Sequence, residues 1–220
     1  MCINYTPVSQ HGLDFFNTVA PADAEWPAET WQDYRAPIIR LGANGDRETL
    51  VGTYGMVPQK KIPSHVKKFS TMNARSEDVG TKRSFAKSWR DGQLCLVPME
   101  RFFEPNWETG KHVRWGIGMH DRRPFAVAGL WRAWPDADDS TAYSFTQLTV
   151  NATGHDVMEH FHKPGQEKRS LVIVPPEAYD DWLHCRNPEI ARAFLSLYPA
   201  ELMKAEPAPK ASKAESHSAG

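Results

Sequence analysis

The chain has 220 residues, 40% hydrophobic and 11% aromatic, with a net charge of −1. A chain of this size buries on the order of 70% of its unfolded surface, so one globular domain is expected. No run approaches the ~20 apolar residues of a membrane span, and the near-neutral charge excludes a uniformly basic nucleic-acid binder.

The amino end, MCINY, has no basic region followed by an apolar run, so no signal peptide is expected. The stretch PADAEWPAETWQDYRAP reads as a Pro-broken surface connection held by its aromatics. APIIRL and ETLVGTYGMV follow as strands. From Lys60 to Arg90 nine Lys and Arg face only Glu77 and Asp78. Such a segment is either a local phosphate track or a solvated face. TKRSFAKSWRDG places Phe85 and Trp89 four apart and stops at Gly92, which predicts a helix. QLCLVPM, RFFEPNW, VRWGIGM, FAVAGLWRAW and SFTQLTVNA read as five further strands. TGHDVMEHF reads as a short helix and RSLVIVP as a strand. PEAYDDWLHC and PEIARAFLSLY then read as two helices, each opened by Pro and acidic residues. The final EPAPKASKAESHSAG offers no large apolar residue to offset the entropy of ordering. The domain is therefore expected over residues 1–203, with a disordered tail over 204–220. The strands are not regularly interleaved with helices. An α+β fold is expected, with a mixed or antiparallel, barrel-like β core and peripheral helices.

The three cysteines are far apart and form no CxxC, so a reducing cytoplasm is the expected location and no disulfide framework is expected. Cys95 and Cys185 read as structural residues. Cys2 differs, because removal of Met1 would leave an amine and a thiol on one residue. An α-amine titrates at roughly 7.7–8.0, so an appreciable fraction is nucleophilic near neutral pH. A 1,2-aminothiol traps an aldehyde twice, as a Schiff base and then as a five-membered thiazolidine. Three more polar spots stand out: Asn73 and Arg75 in TMNARSED, Glu104 in RFFEPNW, and His160 with His162 in MEHFHKPGQEKRSLVIVP. A carboxylate among aromatics, as at Glu104, is suited to shuttle protons. Asn73 reads as an amine-orienting amide or a turn residue. Arg75 reads as a phosphate clamp or a surface ion pair with Glu77 or Asp78. The His-x-His pair could be half a metal site, but no third and fourth ligands stand at metal spacing, and no cofactor is expected.

In this order, Cys2 and the motifs NAR, RFFEP, FAVAGLW, FTQLT and the late histidine resemble the SOS response-associated peptidase family of abasic-site processing proteins. The resemblance implies a covalent thiazolidine between Cys2 and an abasic site in single-stranded DNA. It also implies lyase and self-peptidase activity, with localisation on the nucleoid at damage. It assigns catalytic roles to Cys2, Asn73, Glu104 and His162, with His160 the alternative histidine. It places Arg75 and Thr149 on the DNA, and implies a monomer. Two departures stand out. Many members carry Gly-Arg after the cysteine, where this chain has Ile3-Asn4. Many carry a Trp in the region of GMVPQKKIPSHVKKF, where this chain has Lys60, Lys61, Lys67 and Lys68. These lysines are expected to bind DNA through charge rather than stacking. Trp89, Trp107 and Trp131 could stack on bases or fill the core. The competing readings are an N-terminal-nucleophile or cysteine peptidase, and a non-catalytic single-strand binding module.

Overall fold

A computed structural model of the protein describes residues 3–136 and 140–210. Its eleven strands in chain order are β1 (Tyr5–Pro7), β2 (Arg35–Leu41), β3 (Arg47–Tyr54), β4 (Asn73–Arg75), β5 (Leu94–Asn106), β6 (Val113–Met119), β7 (Phe125–Pro135), β8 (Thr141–Asn151), β9 (Arg169–Leu171), β10 (Ile173–Val174) and β11 (Met203–Pro207). Three short α-helices, α1 (Ala86–Arg90), α2 (Tyr179–His184) and α3 (Pro188–Ala191), lie among them.

Five strands close a barrel in the order β7–β8–β3–β2–β5, and β5 returns to β7. All contacts around the ring are antiparallel except β3 with β8, where Thr53 lies beside Ser144. Closure leaves these five strands without an open edge. The mixed barrel with peripheral helices matches the fold class read from the sequence.

β5 carries much of the architecture. The sequence suggests two strands here, QLCLVPM and RFFEPNW, separated by Glu100 and with Arg101 opening the second. The structure has one, because both charges face solvent without interrupting the chain. Its first half pairs with β7, from Leu94 opposite Leu130 to Met99 opposite Phe125. Its second half pairs with β6, from Phe102 opposite Ile117 to Asn106 opposite Val113. Side chains alternate between two buried clusters: Cys95, Val97 and Met99 in one, Leu94 and Leu96 in the other. Burial on both faces explains why LCLVPM reads as a continuous apolar run rather than an alternating one. α2 covers the outer cluster, and the fully buried Trp182 donates its indole N–H to the Cys95 carbonyl at 2.9 Å. Gly129 lies at the β5–β7–β8 junction. A Cβ there would sit 2.8 Å from the Thr146 carbonyl and 2.9 Å from Cys95 Sγ, so only glycine fits.

Other elements depart from the sequence reading: RSLVIVP is split into β9 and β10, and PEIARAFLSLY forms only α3 and a 3-10 turn, Arg192–Phe194. The helix expected over Thr81–Gly92 is confined to five residues, α1. The stretch TGHDVMEHF forms only a 3-10 turn, Met158–His160. The ordered chain also passes the expected limit at residue 203. β11 runs antiparallel to β6, from Met203 opposite Met119 to Pro207 opposite Trp115. Backbone hydrogen bonding holds this segment, which composition alone could not reveal. Residues 211–220 of the expected tail lie outside the described residues. No helix among the described residues is long and apolar enough to cross a membrane.

Candidate active site

Cys2 lies outside the described residues. The first described residue, Ile3, lies in the wall of a cavity of about 510 Å³ that Glu104, Trp107 and His162 also line. β1 explains this placement. It pairs antiparallel with β5, Tyr5 opposite Phe102, and Phe103 N–H donates to the Asn4 carbonyl at 3.0 Å.

Glu104 projects from β5 and is 3% exposed; His162 is 5% exposed. His162 Nε2 lies 3.4 Å from Glu104 Oε2. The segment carrying His162 is pinned to the end of β5 by a bridge between Asn106 and Phe161. His162 N–H also donates to the Pro105 carbonyl at 3.0 Å. His162 takes a left-handed φ of 67°. For a non-glycine residue this conformation is costly and persists only where the surroundings enforce it. Among the described residues neither ring nitrogen of His162 makes a hydrogen bond. His160 does not share its face. It is exposed and pairs with Glu108, whose carboxyl is held below its ordinary range by Asn106 and then by His160.

The remaining candidates are carried by other elements. β4 runs parallel to β8, placing Asn73 beside Gln147 and Arg75 beside Thr149. None of Asn73, Arg75 and Thr149 lines the cavity. Arg75 is exposed and pairs with Glu167 at 2.9 Å, not with Glu77 or Asp78. The Thr149 hydroxyl is buried, donating to the Ala74 carbonyl at 3.3 Å and accepting from Arg169 at 3.0 Å. Lys60, Lys61, Lys67 and Lys68 are exposed on the loop after β3. Lys61 lies 5.8 Å from the Trp134 ring, and Lys68 donates to the Gln59 carbonyl. Trp89 is core, at 2% exposure, and Trp131 lies under the Arg40 guanidinium. Trp107 faces the cavity and stacks on His112, with ring centroids 5.7 Å apart. Burial pushes the Cys95 thiol up, which keeps it protonated and unreactive.

Sequence reading missed two arginines. Arg169 is 2% exposed and meets Glu77 with both terminal nitrogens, at 2.7 and 3.0 Å. Arg114 lines the cavity from β6. The apolar run behind Arg169 was the one available signal, since a charge opening a buried strand needs a partner. The Arg169 hydrogen bonds lower the Glu77 carboxyl from 4.5 to about 2. A depressed folded-state value stabilises the fold above pH 4.5 and loses that contribution as pH falls through 2. The stability advantage of wild type over Glu77→Gln is therefore expected to be full at neutral pH and to vanish across that window. Urea denaturation at stepped pH measures it. Because Glu77 is half-exposed, solvent screening keeps the effect small.

A family model described as SOS response associated peptidase (SRAP) matches residues 16–213. The chain is 22% identical over 197 residues to the abasic site processing protein HMCES of Pongo abelii, a match covering 76% of this chain and 54% of that one. The chain thus spans about half the length of this curated relative. A crystal structure of a Bordetella bronchiseptica protein is similar at a TM-score of 0.85 and 33% identity, covering 94% of this chain and 100% of that one. A Bacteroides thetaiotaomicron protein shares the fold at a TM-score of 0.74 and 18% identity, covering 95% and 93%.

Proposed function

The chain belongs to the SOS response associated peptidase family, and from that premise we propose that it processes abasic sites in single-stranded DNA through Cys2. The α-amine exposed by loss of Met1 condenses with the open-chain aldehyde of the abasic sugar, releasing one water and forming a Schiff base. The thiol sulfur then adds to the imine carbon while its proton passes to the nitrogen, closing a thiazolidine. No electrons are gained or lost overall. Glu104 accepts and returns the amine proton, and His162 protonates the sugar ring oxygen as the ring opens. Asn73 orients the amine. Arg75 and the lysines at 60, 61, 67 and 68 hold the strand; the buried Thr149 hydroxyl, engaged by Ala74 and Arg169, does not, contrary to the sequence expectation. The same Schiff base permits β-elimination, a lyase reaction, and self-removal of Met1 is the peptidase activity.

One observation carries this reading: a buried carboxylate–imidazole pair shares its cavity with Ile3, the residue that follows Cys2. The test is incubation with a single strand carrying one abasic site, followed by a denaturing gel and intact mass. Wild type should lose Met1 and gain the mass of the DNA; Cys2→Ala should remain unshifted. A processed wild-type chain that never shifts would sink the proposal.

Strand binding should depend steeply on salt, because the loop after β3 presents four exposed lysines, Lys60, Lys61, Lys67 and Lys68. With three or more phosphates neutralised, log K against log salt should fall with a slope of about −2 or steeper. Fluorescence anisotropy over a sodium chloride series measures it, and a slope near zero would assign binding to stacking instead.

A further inference from the structure

A nucleophile on the chain's own end is tethered from one side only, so holding it in reacting geometry must fall to the residues just behind it. Ile3 is exposed, whereas Asn4 is 2% exposed and is the first side chain that can be gripped. The grip comes from Arg114 on β6. Its Nη2 donates to Asn4 Oδ1 at 2.7 Å and to Glu29 Oε1 at 2.8 Å. Asn4 Nδ2 in turn donates to Glu29 Oε2 at 3.2 Å and to the Thr30 carbonyl at 3.3 Å. The guanidinium rests 3.4 Å from the centroid of Phe103, the neighbour of Glu104, and its Nη1 donates to the Ala208 carbonyl at 3.1 Å. Glu29 balances the charge, so the cluster is a neutral clamp rather than a free cation.

We infer that Arg114 is the positioning residue of this site: by clamping Asn4 and Glu29 beside Phe103, it delivers the amine and thiol of residue 2 to Glu104. The inference rests on the reading of Cys2 given above. The guanidinium reaches Asn4 from a strand 110 residues away. Arg114 acts on residue 2 through Asn4.

The test compares wild type, Arg114→Met and Arg114→Lys in single-turnover crosslinking over a range of abasic-strand concentrations. Amide hydrogen exchange is followed at Tyr5 and Phe103. Arg114→Met should lower the rate constant at saturating DNA by about 10-fold or more, while the half-saturating concentration moves less than about 3-fold. Exchange should quicken at β1 and its neighbours but not in β7. Adding Asn4→Ala to Arg114→Met should cost little more, because both remove one clamp. An unchanged saturating rate, or a loss confined to the half-saturating concentration, would overturn the inference. If wild type forms no crosslink, the Cys2 reading fails separately. Exchange then decides the clamp alone: faster exchange confined to β1 upholds it and unchanged exchange overturns it. Arg114→Lys carries the same test if the Met variant does not fold.

Discussion

Glu104→Gln is expected to slow crosslinking to an abasic strand by about 10²- to 10⁴-fold at saturating DNA, the range associated with losing a positioned general acid–base group. The substitution preserves shape and the ability to hydrogen bond but removes the group that takes up a proton. Glu104 is 3% exposed, so bulk water is poorly placed to substitute for it. His162, 3.4 Å away, is the one imidazole in contact with it among the described residues. His162→Asn should also slow the reaction, and the double variant should fall short of the product of the two losses, since residues acting as a unit are not additive. Stability should change little, because a neutral amide is no harder to bury than a carboxylate. Single-turnover rates with urea denaturation in parallel settle the matter. A loss under about 3-fold with an intact fold would remove Glu104 from the proton-transfer role.

Arg169→Met should destabilise the protein by about 2–4 kcal/mol, the largest stability effect expected of any single polar side chain here. The buried guanidinium donates to Glu77 twice, to Glu167 at 2.9 Å, and to the Thr149 carbonyl and hydroxyl at 2.7 and 3.0 Å. The carboxylates are partly exposed and can rehydrate once their partner is gone. The buried Thr149 oxygens cannot, so the cost concentrates there. By contrast, Arg75→Met breaks an exposed pair with Glu167 and should cost under about 1 kcal/mol. Urea midpoints for the two variants separate these cases, and a loss below about 1 kcal/mol for Arg169→Met would refute the account. The functional corollary concerns β4. Glu77 lies two residues beyond Arg75, so releasing it loosens the segment bearing Asn73 and Arg75.

The long strands were legible because their residues satisfy local rules: β-branched and aromatic runs bounded by turn residues, as in FAVAGLW and SFTQLT. β1 and β4, at three residues each, were not, because such strands exist only through distant partners. β11 escaped for the opposite reason: its ladder is made by the backbone and leaves no mark in composition. Glu104 and His162 stood out individually, a charge among aromatics and an imidazole ahead of a strand. Their approach did not, since it depends on a left-handed turn at His162 that no local pattern announces. Arg114 was invisible for a simpler reason. Nothing near it in sequence is unusual, and its partners Asn4, Glu29 and Ala208 come from three separate stretches of chain.

That last convergence has a practical side. Ala208 N–H donates to the Arg114 carbonyl at 2.9 Å, and Lys210 Nζ lies 4.2 Å from the centroid of the Trp31 ring in the cavity wall. Ile3 and Lys210 therefore line the same opening. A fluorophore attached near residue 208 would watch occupancy of the opening without touching the acid–base pair. An affinity tag placed there would crowd the mouth.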